Sequence, residues 1–222
     1  YLPDFRNDKK IERHIFFSGI KELKKVFHKL ADYPALKRYL TAFFVYSMAV
    51  QTVMIIAAYF GEKEVLWESD EQRTSGLIIS ILLIQLIAVV GAILTSKISA
   101  KFGNVNTLIA INIFWILICI YAYTVQTPVQ FYIAASLVGL VMGGIQSLSR
   151  STYSKMLPEN IDTTSLFSFY DVTEKIGIVI GMIMYGLVTQ ITEKVQNAIL
   201  FLVIFFILGV ILLCNLKKVT KI

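Results

Sequence analysis

Six long apolar runs limit what this chain can become. They fall at residues 38–60, 74–96, 105–124, 129–150, 167–190 and 196–215, and each holds 20 residues or more. At 1.5 Å of rise per residue, a helix of that length crosses roughly 30 Å of hydrocarbon. The connections, such as Lys97 to Asn104 and Val125 to Pro128, are short and carry charges or helix breakers, leaving no room for a water-soluble domain between runs. Composition agrees. Of 222 residues, 56% are apolar and 16% charged, whereas soluble domains sit near about 45–50% and about 25%. A single soluble domain of this size cannot bury so much apolar surface, and a mean hydropathy of +0.69 excludes disorder. A net charge of +6 does not mark a nucleic-acid partner, because the basic residues cluster between apolar runs instead of covering one face. The expected fold class is an all-α membrane protein with six transmembrane helices over 33–216, and its first partner is the lipid bilayer.

Lysine and arginine set the expected orientation. Of 21, ten lie before or at Arg38, and Lys97, Lys101, Arg150, Lys155, Lys217, Lys218 and Lys221 bring that side to 17. The other side holds only Lys63, Arg73 and Lys194. This bias places both termini of the segment in the cytoplasm, with 217–222 as a cytoplasmic tail. The loop at 61–73 carries Glu62, Glu64, Glu68, Asp70 and Glu71 and faces out, as a solvated turn. Residues 1–32 read as a cytoplasmic linker with a basic amphipathic helix. Ile15, Phe16, Ile20, Leu23, Phe27 and Leu30 form one face, and Lys21, Lys24, Lys25 and Lys29 the other. Such a helix lies on an anionic leaflet or packs on other protein. Asp32 is placed to cap the first span, with Pro34 in its first turn. Starting at Tyr1 with no signal-peptide pattern, the chain reads as a piece of a longer protein.

No enzyme signature is found: HExxH, GxSxG and the phosphate-binding GxxxxGK[ST] loop are missing. Cys119 and Cys214 lack CxxC spacing, and His14 and His28 lie outside the spans, so neither a disulfide frame, a metal site nor a cofactor is expected.

The residues that cost most in a membrane gather at the start of the fifth span. Asp171, Glu174 and Lys175 stand at i, i+3 and i+4 and share a helix face. A charge near the bilayer centre costs at least about 2.5–3.5 kcal/mol, and less near the interface. Arg150, ending the fourth span, is a natural partner for the acids. The group reads as a gating or structural salt-bridge cluster, as a proton- or solute-coupling carboxylate, or as snorkelling of Glu174 and Lys175. Gly139 and Gly143 make a small-xxx-small pattern in the fourth span, and Gly177 and Gly181 repeat it in the fifth. Such patterns let helices pack closely or rock past one another. Tyr39, Tyr46, Ser47, Gln51 and Thr52 in the first span, Gln85 in the second and Asn112 in the third are polar groups whose plainest use is bonding a neighbouring helix.

Three stretches add a resemblance: Tyr46-Ser-Met-Ala-Val-Gln-Thr52, Gly143-Gly-Ile-Gln-Ser-Leu-Ser-Arg-Ser-Thr-Tyr-Ser-Lys-Met-Leu-Pro158, and Phe167-Ser-Phe-Tyr-Asp-Val-Thr-Glu-Lys175. Together they resemble the vacuole-effluxer-like branch of the major facilitator superfamily, in its bacterial form, over roughly residues 30–215. The resemblance implies the C-terminal six-helix half of a twelve-span fold, built as a 3+3 inverted repeat over 38–124 and 129–215. Its partner is the N-terminal half, which this chain lacks. The first and fourth spans then line the central cavity, which makes Tyr46, Gln51, Gly143 and Gln146 cavity candidates. The loop after the second span is similar to the superfamily's G-x-x-x-D-R-x-G motif. It keeps Lys101 and Gly103 but has Ser96 and Ala100 where the motif has glycine and aspartate. Ser47-Met48 stands where many branch members carry Asn-Asp.

The implied function is secondary active transport of a small polar solute, with amino acids among the candidates, by alternating access in the bacterial inner (cell) membrane. Protons are a candidate coupling ion. The alternative is a non-transporting scaffold or assembly partner that retains the fold; its cue is that no Asp or Glu lies in 38–60 or 74–96. No loop resembles the selectivity filter a channel needs.

Overall fold

The computed structural model describes residues 32–158 and 163–220. Among them the chain forms six helices: α1 (Pro34–Glu64), α2 (Asp70–Phe102), α3 (Asn104–Ala122), α4 (Pro128–Met156), α5 (Thr163–Thr192) and α6 (Val195–Thr220). All six are long and apolar enough to cross a membrane. Helices suit this sequence because a spanning segment must satisfy its own backbone groups where water is absent. The expected amphipathic helix of the linker lies outside the described residues.

Most helices overrun the apolar runs that mark them, because caps sit in polar sequence beyond the hydrocarbon. α2 starts at the Ser69 hydroxyl, which accepts from the Gln72 amide at 3.1 Å, and carries Asp70 and Glu71 in its first turn, where the helix dipole favours them. α4 opens on a capping box: Thr127 accepts from the Gln130 amide and the Gln130 side chain accepts from the Thr127 amide. α6 continues through Lys217 and Lys218 to Thr220, so the segment read as a tail is helical there. The first cap differs from expectation. Tyr33, not Asp32, is the cap residue of α1, and its side chain makes no capping hydrogen bond. Pro34 at the first helical position has no N–H, which removes one of the donors a cap would serve.

The helices run alternately up and down. At one end the amide of Leu66 donates to the Gln126 carbonyl at 2.8 Å, joining the α1–α2 loop to the α3–α4 loop. At the other end Asn104 donates to Thr152 at 3.2 Å, and Pro34 and Lys218 border one cleft. The first end carries the acids of 62–71 and is called the acidic end; the second is called the basic end. Gly103 turns α2 into α3 at the basic end. Its φ of 84° and ψ of 155° are adopted readily by glycine alone. Its N–H donates to Ser99 and its carbonyl accepts from the Thr107 amide, closing both helices.

Close backbone approach holds α2 against α4. A Cβ on Gly91 would strike the Leu140 carbonyl, one on Gly139 would come within 2.7 Å of the Ile84 carbonyl, and one on Gly144 would strike the Thr95 hydroxyl. Gly181 of α5 meets Thr52 and Met48 of α1 in the same way, while Gly177 leaves ordinary room, 3.6 Å, beside Met48. Within the core, Trp115 of α3 stacks on Phe206 of α6 at 5.6 Å. Asn112 donates to Leu108 on its own helix at 2.8 Å, so it does not serve the cross-helix bond expected of it. α2 and α5 are the least buried helices.

Candidate solute cleft

An open cleft of about 490 Å³ lies between α1, α4 and α5. Helical spacing brings its polar lining together: Ser47 and Gln51 from α1, Gln146 and Arg150 from α4, Glu174 and Lys175 from α5. Each pair on α1 and α4 is four residues apart and so projects from neighbouring turns of one face.

Aromatic rings knit the three helices beneath this lining. The Tyr46 hydroxyl shares a 2.7 Å hydrogen bond with the Ser149 hydroxyl, and Tyr39 donates to the Ser149 carbonyl at 2.6 Å. Phe43 stacks on Tyr170 at 4.0 Å, and Tyr170 lies 4.8 Å from Tyr153. Tyr153 in turn donates to the Leu166 carbonyl at 2.7 Å. All four tyrosines are buried. Each spends its hydroxyl or ring on a partner from another helix or turn, so this floor is rigid. Tyr46 therefore meets the cleft from its floor.

The walls carry the charge. Gln51 of α1 donates to the Glu174 carboxylate of α5. Arg150 of α4 pairs with Asp171 of α5 at 2.6 Å, both about half exposed, and its guanidinium lies 5.6 Å from the centre of the Tyr170 ring. The three charged residues of α5 thus take different surroundings. Asp171 turns to Arg150 and does not line the cleft, Glu174 turns to Gln51, and Lys175 lines the cleft and takes part in neither ion pair found among the described residues. Gln146 is exposed, and its amide nitrogen lies 3.6 Å from the Met54 sulfur. Two cations and two acids balance across the cleft and its rim, so the site presents both signs of charge with no large net field.

Gly143, expected on the cavity wall, is placed elsewhere. It lies toward the acidic end from Gln146, against the Ala88 carbonyl of α2, and serves the α2–α4 seam with Gly139. Tyr153, Tyr170 and Ser149 were not singled out from the sequence as site residues. The available signal was the seven-residue spacing of Tyr39 and Tyr46, which puts two hydroxyls on one stripe of α1 and demands partners opposite. Among the described residues, no three of His, Cys, Asp and Glu gather to hold a metal ion.

Comparison with known proteins places the chain. The family model described as vacuole effluxer Atg22 like matches residues 1–221. The MFS-type transporter YxiO of Bacillus subtilis (strain 168) is 28% identical over 212 residues, covering 96% of this chain and 48% of that protein. Autophagy-related protein 22 of Yarrowia lipolytica (strain CLIB 122 / E 150) is 23% identical over 209 residues, covering 91% of this chain and 35% of that protein. The chain spans about half the length, or less, of the curated relatives it matches. It belongs to the vacuole effluxer Atg22-like family, and its six helices form one half of a major facilitator fold.

Proposed function

We propose that this chain is the C-terminal six-helix half of a secondary transporter that moves a small polar solute by alternating access. The observation that carries the reading is the cleft itself. Amides, hydroxyls and both signs of charge from α1, α4 and α5 line one open concavity in an otherwise apolar bundle. Charged side chains among membrane helices face water-filled cavities or partners, because lipid solvates them poorly. α5 is among the least buried helices and carries Asp171, Glu174 and Lys175, so its charged face belongs against an aqueous cavity. The names of the relatives, an MFS-type transporter and a vacuole effluxer family, point the same way.

The N-terminal six-helix half closes the cavity from the other side, and α2 and α5 offer it their exposed faces. The two halves rock about the site between them. Arg150 and Asp171 act as the gating pair: an exposed ion pair is worth about 1 kcal/mol or less, so it opens and reforms at small cost. The bias of lysine and arginine puts the basic end in the cytoplasm of a bacterial inner membrane. Amino acids are the solute class we favour. Glu174 offers an acceptor for an ammonium, Lys175 a donor for a carboxylate, and Gln51 and Gln146 offer amides to either. Glu174 is also the candidate proton carrier, since Asp171 is engaged by Arg150.

The test uses the full-length protein in proteoliposomes. Glu174→Gln should abolish pH-driven uptake of amino acids while counterflow exchange persists. An unchanged dependence on the pH gradient removes Glu174 from coupling, and wild-type vesicles that take up no small polar solute contradict transport.

A further inference from the structure

A second cleft, of about 660 Å³, opens at the basic end between the first turns of α1 and the last turns of α6. It is separate from the solute cleft and shares no lining residue with it. Lys37 and Arg38 of α1 and Lys218 of α6 line it, with Asn215 and Thr41 beside them and Leu212 among its apolar lining. Among the described residues no acidic side chain lines it, and none of its three cations takes part in an ion pair. We propose that this cleft binds the phosphate of an anionic phospholipid headgroup.

Its position and its charge both argue for that occupant. α6 is apolar from Ala198 to Cys214, turns polar at Asn215 and then basic at Lys217 and Lys218, which marks the level where acyl chains give way to headgroups. The cations come from two helices, so they converge on a concavity instead of fringing a loop. An arginine fork and two ammonium groups match the oxygens of a phosphodiester. Thr41 already donates to the Lys37 carbonyl at 3.0 Å, which leaves the Asn215 amide as the neutral donor for glycerol or ester oxygens. Leu212 supplies an apolar contact for the first methylenes. A zwitterionic headgroup gains little here, because none of the described lining residues offers a carboxylate to its ammonium. Another cleft at the same end, between α2 and α4 beside Ser96 and Ser99, has Lys97 as the one cation among its described lining residues. Attraction of the cytoplasmic leaflet to basic residues in general would not distinguish the two clefts; a built site does.

Native mass spectrometry of the full-length protein in neutral detergent tests this, with phosphatidylglycerol and phosphatidylcholine of matched chains added in turn. Wild type should retain phosphatidylglycerol at concentrations on the order of tenfold lower than phosphatidylcholine. Lys37→Gln, Arg38→Gln and Lys218→Gln combined should erase the preference, and Lys97→Gln should leave it intact. Lys218→Gln alone, at an exposed position, should reduce the preference without lowering the melting temperature in detergent alone. Equal retention of the two lipids, an undiminished preference in the Lys218 variant, or an equal loss in the Lys97 variant overturns the proposal. So does displacement of the lipid by millimolar inorganic phosphate, which would make the site one for the free anion.

Discussion

The hydroxyls of Tyr46 and Ser149 meet at 2.7 Å although 103 residues separate them in sequence. Both side chains are buried, so the bond ties α1 to α4 where the floor of the solute cleft needs to be stiff. Tyr46→Phe strands the Ser149 hydroxyl away from water, at a cost of about 1–3 kcal/mol, and Ser149→Ala leaves the Tyr46 hydroxyl only its longer 3.4 Å contact with the Tyr39 hydroxyl. Tyr46→Phe and Ser149→Ala should each lower the melting temperature of the full-length protein in detergent. The double variant should lose less than the sum of the single losses, because it leaves no orphan. Strictly additive losses would mean the two groups do not depend on each other.

The glycines should respond according to what faces them. Gly91→Ala drives a methyl group into the Leu140 carbonyl and Gly181→Ala drives one against Thr52; each should cost on the order of 1–3 kcal/mol through overpacking. Gly177→Ala, one turn from Gly181 on the same helix, meets Met48 at 3.6 Å. It should hold or raise the melting temperature, since alanine is the better helix former by roughly 0.5–1 kcal/mol. Matching losses at Gly177 and Gly181 would contradict the described α1–α5 contact.

Two backbone positions carry opposite expectations. Gly103→Ala puts a side chain at φ 84° and should destabilise by about 1–3 kcal/mol. Glu193 already sits at φ 55°, where its N–H donates to the Thr189 carbonyl to end α5. Glycine is at ease there, so Glu193→Gly should raise stability by about 1 kcal/mol. Thermal unfolding of the two variants side by side reads both effects.

Much of the fold was legible because hydrocarbon thickness imposes a length on every spanning helix, and 20-residue apolar runs are hard to disguise. The helix ends were less so. Ser69 and Thr127 cap from polar loops, and Asp32 looked like a cap that Tyr33 and Pro34 make redundant. The residues of the cleft wall were noticed through their cost in lipid and through a family resemblance. The structure places Gln51, Gln146, Arg150, Glu174 and Lys175 around one opening. Gly143 was misplaced because a glycine on a cavity wall and one under a crossing helix look the same in sequence. Tyr153 and Tyr170 escaped notice because a tyrosine near a helix end also suits the membrane interface; only the packing of α1 on α4 and α5 shows them joined.

Arg150 and Asp171 should matter more for motion than for stability. Their ion pair is about half exposed, so Arg150→Ala or Asp171→Asn should change the melting temperature little, by about 1 kcal/mol or less. The same variants should shift maleimide labelling of cysteines introduced near the acidic end, as the balance of inward- and outward-open forms changes. A labelling pattern identical to wild type would assign the pair to surface solvation.

The solute cleft is tested most directly by ligand-induced thermal shift of the full-length protein, screened against amino acids and other small polar metabolites. Binding to the folded state raises the melting temperature in proportion to the logarithm of ligand excess over Kd. We expect at least one such solute to raise the melting temperature of wild type, and both Lys175→Gln and Gln51→Ala to abolish that shift while unfolding normally without ligand. A solute that stabilises wild type and both variants equally would place the binding site elsewhere and contradict the assignment.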